Sequence, residues 1–183
     1  PDDYVFLTSF THHPFYSKFT LEVPDNWNWD QMYNLPLNEL QETMTNAINT
    51  GYTFAWASDV SEKGFKFKDG LAIVPEMPFS EMSDDEKADL VKKPHTQFKV
   101  TQENRQLAFD NYETTDDHGM HIVGLASDQN GRKYYIVKNS WGDKNDYKGY
   151  IYVTKNYVKY KTTAILLHKN GLPNGLRNKM NIW

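Results

Sequence analysis

The sequence predicts an α+β fold built mainly on an antiparallel β-sheet or partly closed barrel, with a few short helices. Aromatic residues make up 15% of the 183 residues, and 12 Tyr and 10 Phe favour strands over a helical bundle. Short apolar segments separated by turn residues recur at hairpin spacing. The length is typical of one domain, so we expect residues 1–183 to form a single domain.

Seven segments have the apolar and aromatic character of strands. They are residues 4–10, 19–23, 52–60, 121–128, 133–140, 149–155 and 163–169. The turn Gln-Asn-Gly joins the fourth and fifth segments into a predicted hairpin. Two lysine-rich stretches, 63–70 and 155–161, alternate with apolar residues, which predicts strands with a solvated lysine face.

Helices are predicted in two regions. Residues 37–51 place apolar side chains on one helical face, with Asn38 and Gln41 at capping-box spacing and Gly51 at the end. Residues 77–117 are more polar, and Ser83 and Glu86 again have capping-box spacing. We expect 77–117 to be a polar helical insertion within the β-rich domain.

Charge and composition argue against several classes of protein. The net charge is −4, which does not favour nucleic-acid binding. No apolar run approaches the roughly 18 residues of a membrane span. The chain has no cysteine, which excludes disulfides and thiolate metal sites within it, and no cofactor is predicted.

His118 and His121 lie in the segment DDHGMHIVG and allow two chemical interpretations. A metal site would combine both histidines with Asp116 or Asp117. In a strand, however, residues three apart point to opposite faces, so no metal site is predicted.

The second interpretation pairs His118 with Asn139, at the two margins of the predicted hairpin. An Asn oxygen accepting from one ring N–H would leave the other ring nitrogen free for proton transfer, as in Cys-His-Asn triads. Trp141 could shield that hydrogen bond from water. Spacing alone leaves open that His118 and Asn139 are unrelated hairpin residues.

The segments DHGMHIVG and YYIVKNSWGD, followed by KGYIYV, closely resemble the His and Asn blocks of papain-like cysteine peptidases. The segments DDYVFLTSFTHHPFYSKFTLEV, YTFAWASDVSEKG and ENRQLAFDNYETTDDHGM resemble the bleomycin hydrolase (aminopeptidase C) branch. The resemblance extends from Asp3 to about Pro173. It implies the sheet-bearing half of a two-lobed papain-like fold.

The same resemblance implies site residues and partners. His118 would be the general base, Asn139 its orienting partner and Trp141 the indole cover. Asp117, Gly119 and Trp56 would edge the substrate pocket, although core packing is the alternative for Trp56. The implied substrate is a peptide, the implied assembly is a homo-oligomer, by resemblance a hexamer, and the implied location is cytoplasmic.

The nucleophile is missing from this sequence. Papain-like sequences place the Cys about 130–150 residues upstream of the His and Asn, so we expect the chain to be the C-terminal part of a peptidase and inactive alone. Two alternatives remain open: a non-catalytic pseudo-peptidase or ligand-binding module of the same fold, and Ser140 as nucleophile. The tail, 170–183, looks shorter than the C-terminal arm of the branch, which leaves aminopeptidase specificity open.

A different class of function remains for the loop that carries Trp27 and Trp29. Together with Tyr33 they could form an aromatic shelf for a carbohydrate, whereas loop packing is the alternative.

Overall fold

The computed structural model describes residues 3–182, and within them ten strands form one sheet. The strands are β1 (Tyr4–Thr8), β2 (Lys18–Thr20), β3 (Gln31–Asn34), β4 (Phe54–Ser58), β5 (Phe65–Lys66), β6 (Leu71–Ala72), β7 (His118–Ser127), β8 (Lys133–Lys138), β9 (Tyr150–Thr154) and β10 (Thr162–His168). The helices are α1 (Leu37–Asn49), α2 (Asp84–Asp89), α3 (Gln102–Asp110), α4 (Lys155–Lys161) and α5 (Asn174–Lys179).

The strands run in the order β2-β3-β1-β10-β4-β7-β8-β9-β6-β5. The pairs β1–β3 and β6–β9 are parallel, and the others are antiparallel. The α+β prediction, with a large mainly antiparallel sheet and a few short helices, is confirmed.

The core lies on both faces of the sheet. The larger cluster contains the apolar face of α1, the inward side chains of the central strands, and Leu176, Met180 and Ile182 from the C-terminal segment. The smaller cluster includes Phe10 and Met32. Strands β7 and β8, whose ends carry the candidate site, bury one face in the larger cluster through side chains such as Ile122 and Val137.

Several local predictions were wrong. The stretch 155–161, predicted as a strand, is helix α4, in which the Thr154 side chain accepts from Tyr157 N. The loop predicted before α1 contains strand β3. Helix α1 has Pro36 at its N-cap without a side-chain hydrogen bond, so the predicted Asn38 capping box is absent.

The polar segment 77–117 contains α2 and α3, and both helices begin with a capping box. Ser83 and Glu86 form the predicted one, and Thr101 and Asn104 form the second. Residues 65–75, which the sequence predicts as a strand segment with a turn at Asp69-Gly70, form two short strands on either side of a 3₁₀ turn at Phe67–Asp69.

Candidate active site

His118 and Asn139 come together at one end of the β7–β8 pair. His118 is the first residue of β7, and Asn139 directly follows β8, whose last residue, Lys138, pairs with His121. His118 Nε2 lies 2.8 Å from Asn139 Oδ1, which is hydrogen-bonding distance. The hairpin places an imidazole against a carboxamide.

The neighbouring backbone fixes which amide atom faces the ring. Ser140 N–H donates to Asn139 Oδ1 at 2.7 Å, and only an oxygen can accept from it. The same oxygen faces His118 Nε2, so Nε2 must carry the hydrogen and donate it. In the neutral ring Nδ1 then has a free lone pair, and no group within residues 3–182 hydrogen-bonds to it.

Asn139 is held rigidly. Its side chain is buried, at 3% exposure, and its backbone N–H donates to Gly149 O at 3.0 Å. Gly149 has φ +80, and a Cβ at this position would lie 2.6 Å from Gly142 O. Glycine is therefore required at 149, where the loop after Asn139 closes on itself.

Trp141 covers one side of the His–Asn pair. Its ring centroid lies 4.9 Å from that of His118, with 34° between the planes. Phe65 and Phe67 hold the indole by edge-on contacts at 5.8 and 5.0 Å between centroids. Trp141 is 38% exposed, so it covers His118 while remaining in partial contact with solvent.

The segment that leads into β7 is acidic. The exposed Asp117 accepts hydrogen bonds from Val60 N at 2.9 Å and Ser61 N at 3.2 Å, which tie it to the loop after β4. Burial raises the pKa of Asp116, a hydrogen bond from the Thr163 hydroxyl lowers it, and the nearby Asp25 and Asp117 carboxylates raise it.

Gly119 faces away from the core and opens onto a concave surface. A Cβ built on Gly119 would meet no atom within 4 Å. The pocket that it borders has a volume of about 360 Å³, with Ala57 and Ala164 in its apolar floor and Asp116 and Trp27 also in its wall.

Trp56 is not at the surface, and its assignment to the substrate pocket needs correction. It is fully buried in the larger core cluster, and its indole N–H donates to Thr162 Oγ1 at 2.7 Å. A side chain without exposed surface cannot contact a substrate, so the alternative of core packing applies.

None of the remaining candidate side chains hydrogen-bonds to His118 or Asn139 within residues 3–182. His121 contacts Thr53 Oγ1 at 2.9 Å, so the structure does not bring it to His118. Ser140 meets Asn139 through its backbone N–H. Trp27 and Trp29 are largely exposed, and Lys18 lies over the Tyr33 ring.

Sequence reasoning missed Phe65, Phe67 and the buried Asp59. The alternation of the two phenylalanines indicated a shared face, but it contains no information that this face meets Trp141. Asp59 follows an apolar strand, where an acidic residue ordinarily begins a solvated loop, so no sequence signal marked it.

Comparison with known proteins gives consistent results. A family model described as Peptidase C1-like family matches residues 1–182. Aminopeptidase G of Lactobacillus delbrueckii subsp. lactis is 25% identical over 174 residues, which are 93% of this chain and 36% of that protein. Cysteine proteinase 3 of Dictyostelium discoideum is 52% identical over 40 residues, 22% of this chain and 12% of that protein.

Among solved structures, PepW from Lactobacillus rhamnosis HN001 matches with a TM-score of 0.69 at 19% identity. The match covers 98% of this chain and 38% of that one, and it shows a shared fold. The chain thus spans little more than a third of the length of Aminopeptidase G and of PepW. Across residues 3–182, none of the helices is long and apolar enough to cross a bilayer.

Proposed function

Because the chain belongs to the peptidase C1-like family, as the resemblance to papain-like cysteine peptidases of the aminopeptidase branch predicted, we propose that it carries the general-base half of a cysteine peptidase site. His118 is the base and Asn139 its orienting partner. The observation that carries this proposal is the 2.8 Å contact between His118 Nε2 and Asn139 Oδ1, because it leaves Nδ1 free to exchange a proton.

In the proposed reaction His118 Nδ1 takes the proton of a cysteine thiol, giving a thiolate and an imidazolium. The thiolate attacks the peptide carbonyl carbon, and the imidazolium then protonates the leaving amine as the C–N bond breaks. His118 next deprotonates a water molecule that attacks the thioester, and the acid and the free thiol are released. Asn139 holds the ring in place through each proton transfer.

The thiol must come from sequence outside these residues, because the chain contains no cysteine. Aminopeptidase G, to which the chain is similar over 36% of its length, is long enough to include a second lobe. We therefore expect the chain alone to be inactive, and we expect an upstream lobe to complete the site.

The proposed substrate is a peptide. Gly119 follows the base and borders the pocket described above, so a substrate backbone can approach closely there while a side chain enters the pocket. Asp117 contributes to the proposed site indirectly, by accepting hydrogen bonds from the backbone of Val60 and Ser61. Aminopeptidase preference, a homo-hexamer and a cytoplasmic location remain predictions from the resemblance.

Hydrolysis by the full-length protein tests the proposal. We expect cleavage of aminoacyl substrates that iodoacetamide blocks, and we expect His118→Ala to abolish it. His121→Ala is the matched control, because His121 lies on the same strand but contacts Thr53 instead of Asn139. Peptides with free and acetylated N-termini, compared in parallel, separate aminopeptidase from endopeptidase preference.

Thiol-dependent activity that survives His118→Ala would refute the assignment of the base. A full-length protein without an upstream cysteine and without peptide hydrolysis would instead support the non-catalytic alternative.

A further inference from the structure

The residues just before His118 are not paired with β4, the neighbouring strand. The last register pair between β4 and β7 joins Ser58 to His118. The loop 59–61 leaves β4 there, and the segment 115–117 arrives at β7 on the same side. No β-ladder pair joins these two segments to each other; the hydrogen bonds between them come from the side chains of Asp59 and Asp117.

Asp59 joins the two segments. One carboxylate oxygen accepts from Thr115 N at 2.9 Å. The other accepts from Ser61 N at 3.0 Å and from the Ser61 hydroxyl at 3.1 Å. A single buried carboxylate, 3% exposed, therefore binds backbone N–H groups on both sides of the gap.

The core in turn holds Asp59 itself. Its backbone N–H donates to Lys161 O at 3.1 Å, and its carbonyl accepts from the buried Tyr157 hydroxyl at 2.9 Å. Asp117 makes the reciprocal connection to Val60 and Ser61, but it does so from an exposed position. The hydrogen bonds of Asp59 are partly buried and those of Asp117 are exposed, so water competes less with the Asp59 hydrogen bonds.

This connection lies next to His118 in the chain, because Thr115 belongs to the segment that leads into β7. Asn139 is fixed from its own side by Gly149 and Ser140. His118 is the first residue of its strand: it pairs with Ser58 and contacts Asn139 and Trp141, and the segment just before it carries Thr115, which Asp59 binds.

We propose that Asp59 is a positioning residue for His118, which fixes the start of β7 so that Nε2–H remains on Asn139 Oδ1. This inference rests on the proposed role of His118. It adds a buried acidic residue that never touches substrate and acts only through the geometry of the base.

Proton exchange of the His118 Nε2–H in this chain, followed by ¹H–¹⁵N NMR, tests the inference. We expect Asp59→Ala to speed that exchange about tenfold or more, because the ring leaves Asn139 more often. Asp59→Asn retains one acceptor oxygen and should give a smaller acceleration. Core amides such as that of Val137 report global stability in the same samples.

Asn34→Ala is the matched control. Asn34 is equally buried and binds both the N–H and the carbonyl of Phe10, so its loss destabilises the fold away from His118. We expect it to speed core amide exchange without selectively speeding that of the His118 Nε2–H.

An Asp59→Ala protein in which the His118 Nε2–H exchanges no faster than in wild type overturns the inference. If Asp59→Ala does not fold, Asp59→Asn is used in its place. The exchange rate of its His118 Nε2–H is then compared with that in wild type and in Asn34→Ala, and no acceleration overturns the inference. Failure of the proposed function would appear separately, as hydrolysis that persists in His118→Ala.

Discussion

Asn139 shows how one side chain can determine the chemistry of another. Its oxygen has two lone pairs, and the N–H groups of His118 and Ser140 occupy both. Rotating the amide would place its NH₂ group against the N–H of Ser140, donor against donor. The backbone at Ser140 thereby selects the tautomer of His118.

We expect Asn139→Ala to lower kcat of the full-length peptidase about 10- to 100-fold, because a hydrogen bond worth roughly 1–3 kcal/mol no longer orients the ring. KM should change little, since Asn139 is buried away from substrate. Steady-state kinetics measures both. Asn46→Ala is the control, because it removes an Asn hydrogen bond to Gly171 O away from the site, and it should leave kcat near wild type. An equal loss of kcat in both variants would contradict the orienting role of Asn139.

The sequence predicted the His118–Asn139 contact because a hairpin is local. The turn at Gln-Asn-Gly determines which strand ends are neighbours. His118 and Asn139, 21 residues apart, therefore lie at the same end of the hairpin. Asp59 could not be predicted in this way. Its partner Thr115 is 56 residues distant, and only the tertiary arrangement of β4 and β7 brings them together.

At the scale of elements, β8 crosses the core with Tyr135 fully buried. Burial raises the pKa of Tyr135 to about 12, although a hydrogen bond with the Thr45 hydroxyl lowers it somewhat. The unfolded phenol ionises near pH 10. Because the folded state holds its proton to higher pH, the associated stability is complete below pH 10 and is lost as the pH rises toward 12.

We therefore expect Tyr135→Phe to flatten the alkaline loss of stability. The difference in unfolding free energy between wild type and variant should change by about 2 kcal/mol between pH 10 and 12, since a pKa difference of one unit corresponds to about 1.4 kcal/mol. Urea unfolding at several pH values measures it. The matched control is Tyr152→Phe, on the partly exposed face of β9. If the unfolding free energy of Tyr135→Phe falls with pH as steeply as that of wild type, the explanation by burial is wrong.

The elements that sequence reasoning misassigned share a cause. Tyr157, Val158 and Lys161 of α4 are buried on one helical face, yet a segment of only seven residues that mixes lysines with aromatic side chains does not distinguish a helix from a strand. Strand β3 has four residues and pairs with β1 and β2, so its existence depends on partners distant in sequence. Longer elements with clear periodicity, such as α1 and β7–β8, were predicted correctly.

At the scale of the molecule, a continuous sheet with core clusters on both faces provides the rigid support for the candidate site. His118 begins β7 and Asn139 directly follows β8, whereas Trp141 and the Asp59 contacts lie in the adjoining loops. The family resemblance identified this architecture from short sequence blocks. It could not indicate which buried polar groups secure the loops, because those contacts depend on the particular side chains of this chain.

The proposed function requires that Asn139 holds the imidazole of His118 with Nε2 protonated and Nδ1 open. Ring ¹⁵N chemical shifts of His118, measured on this chain in the neutral state of the ring, test it most directly. We expect a protonated Nε2 whose hydrogen exchanges slowly, and we expect Asn139→Ala to lose that protection. A hydrogen on Nδ1, or an Nε2–H that exchanges equally fast with and without Asn139, would contradict it.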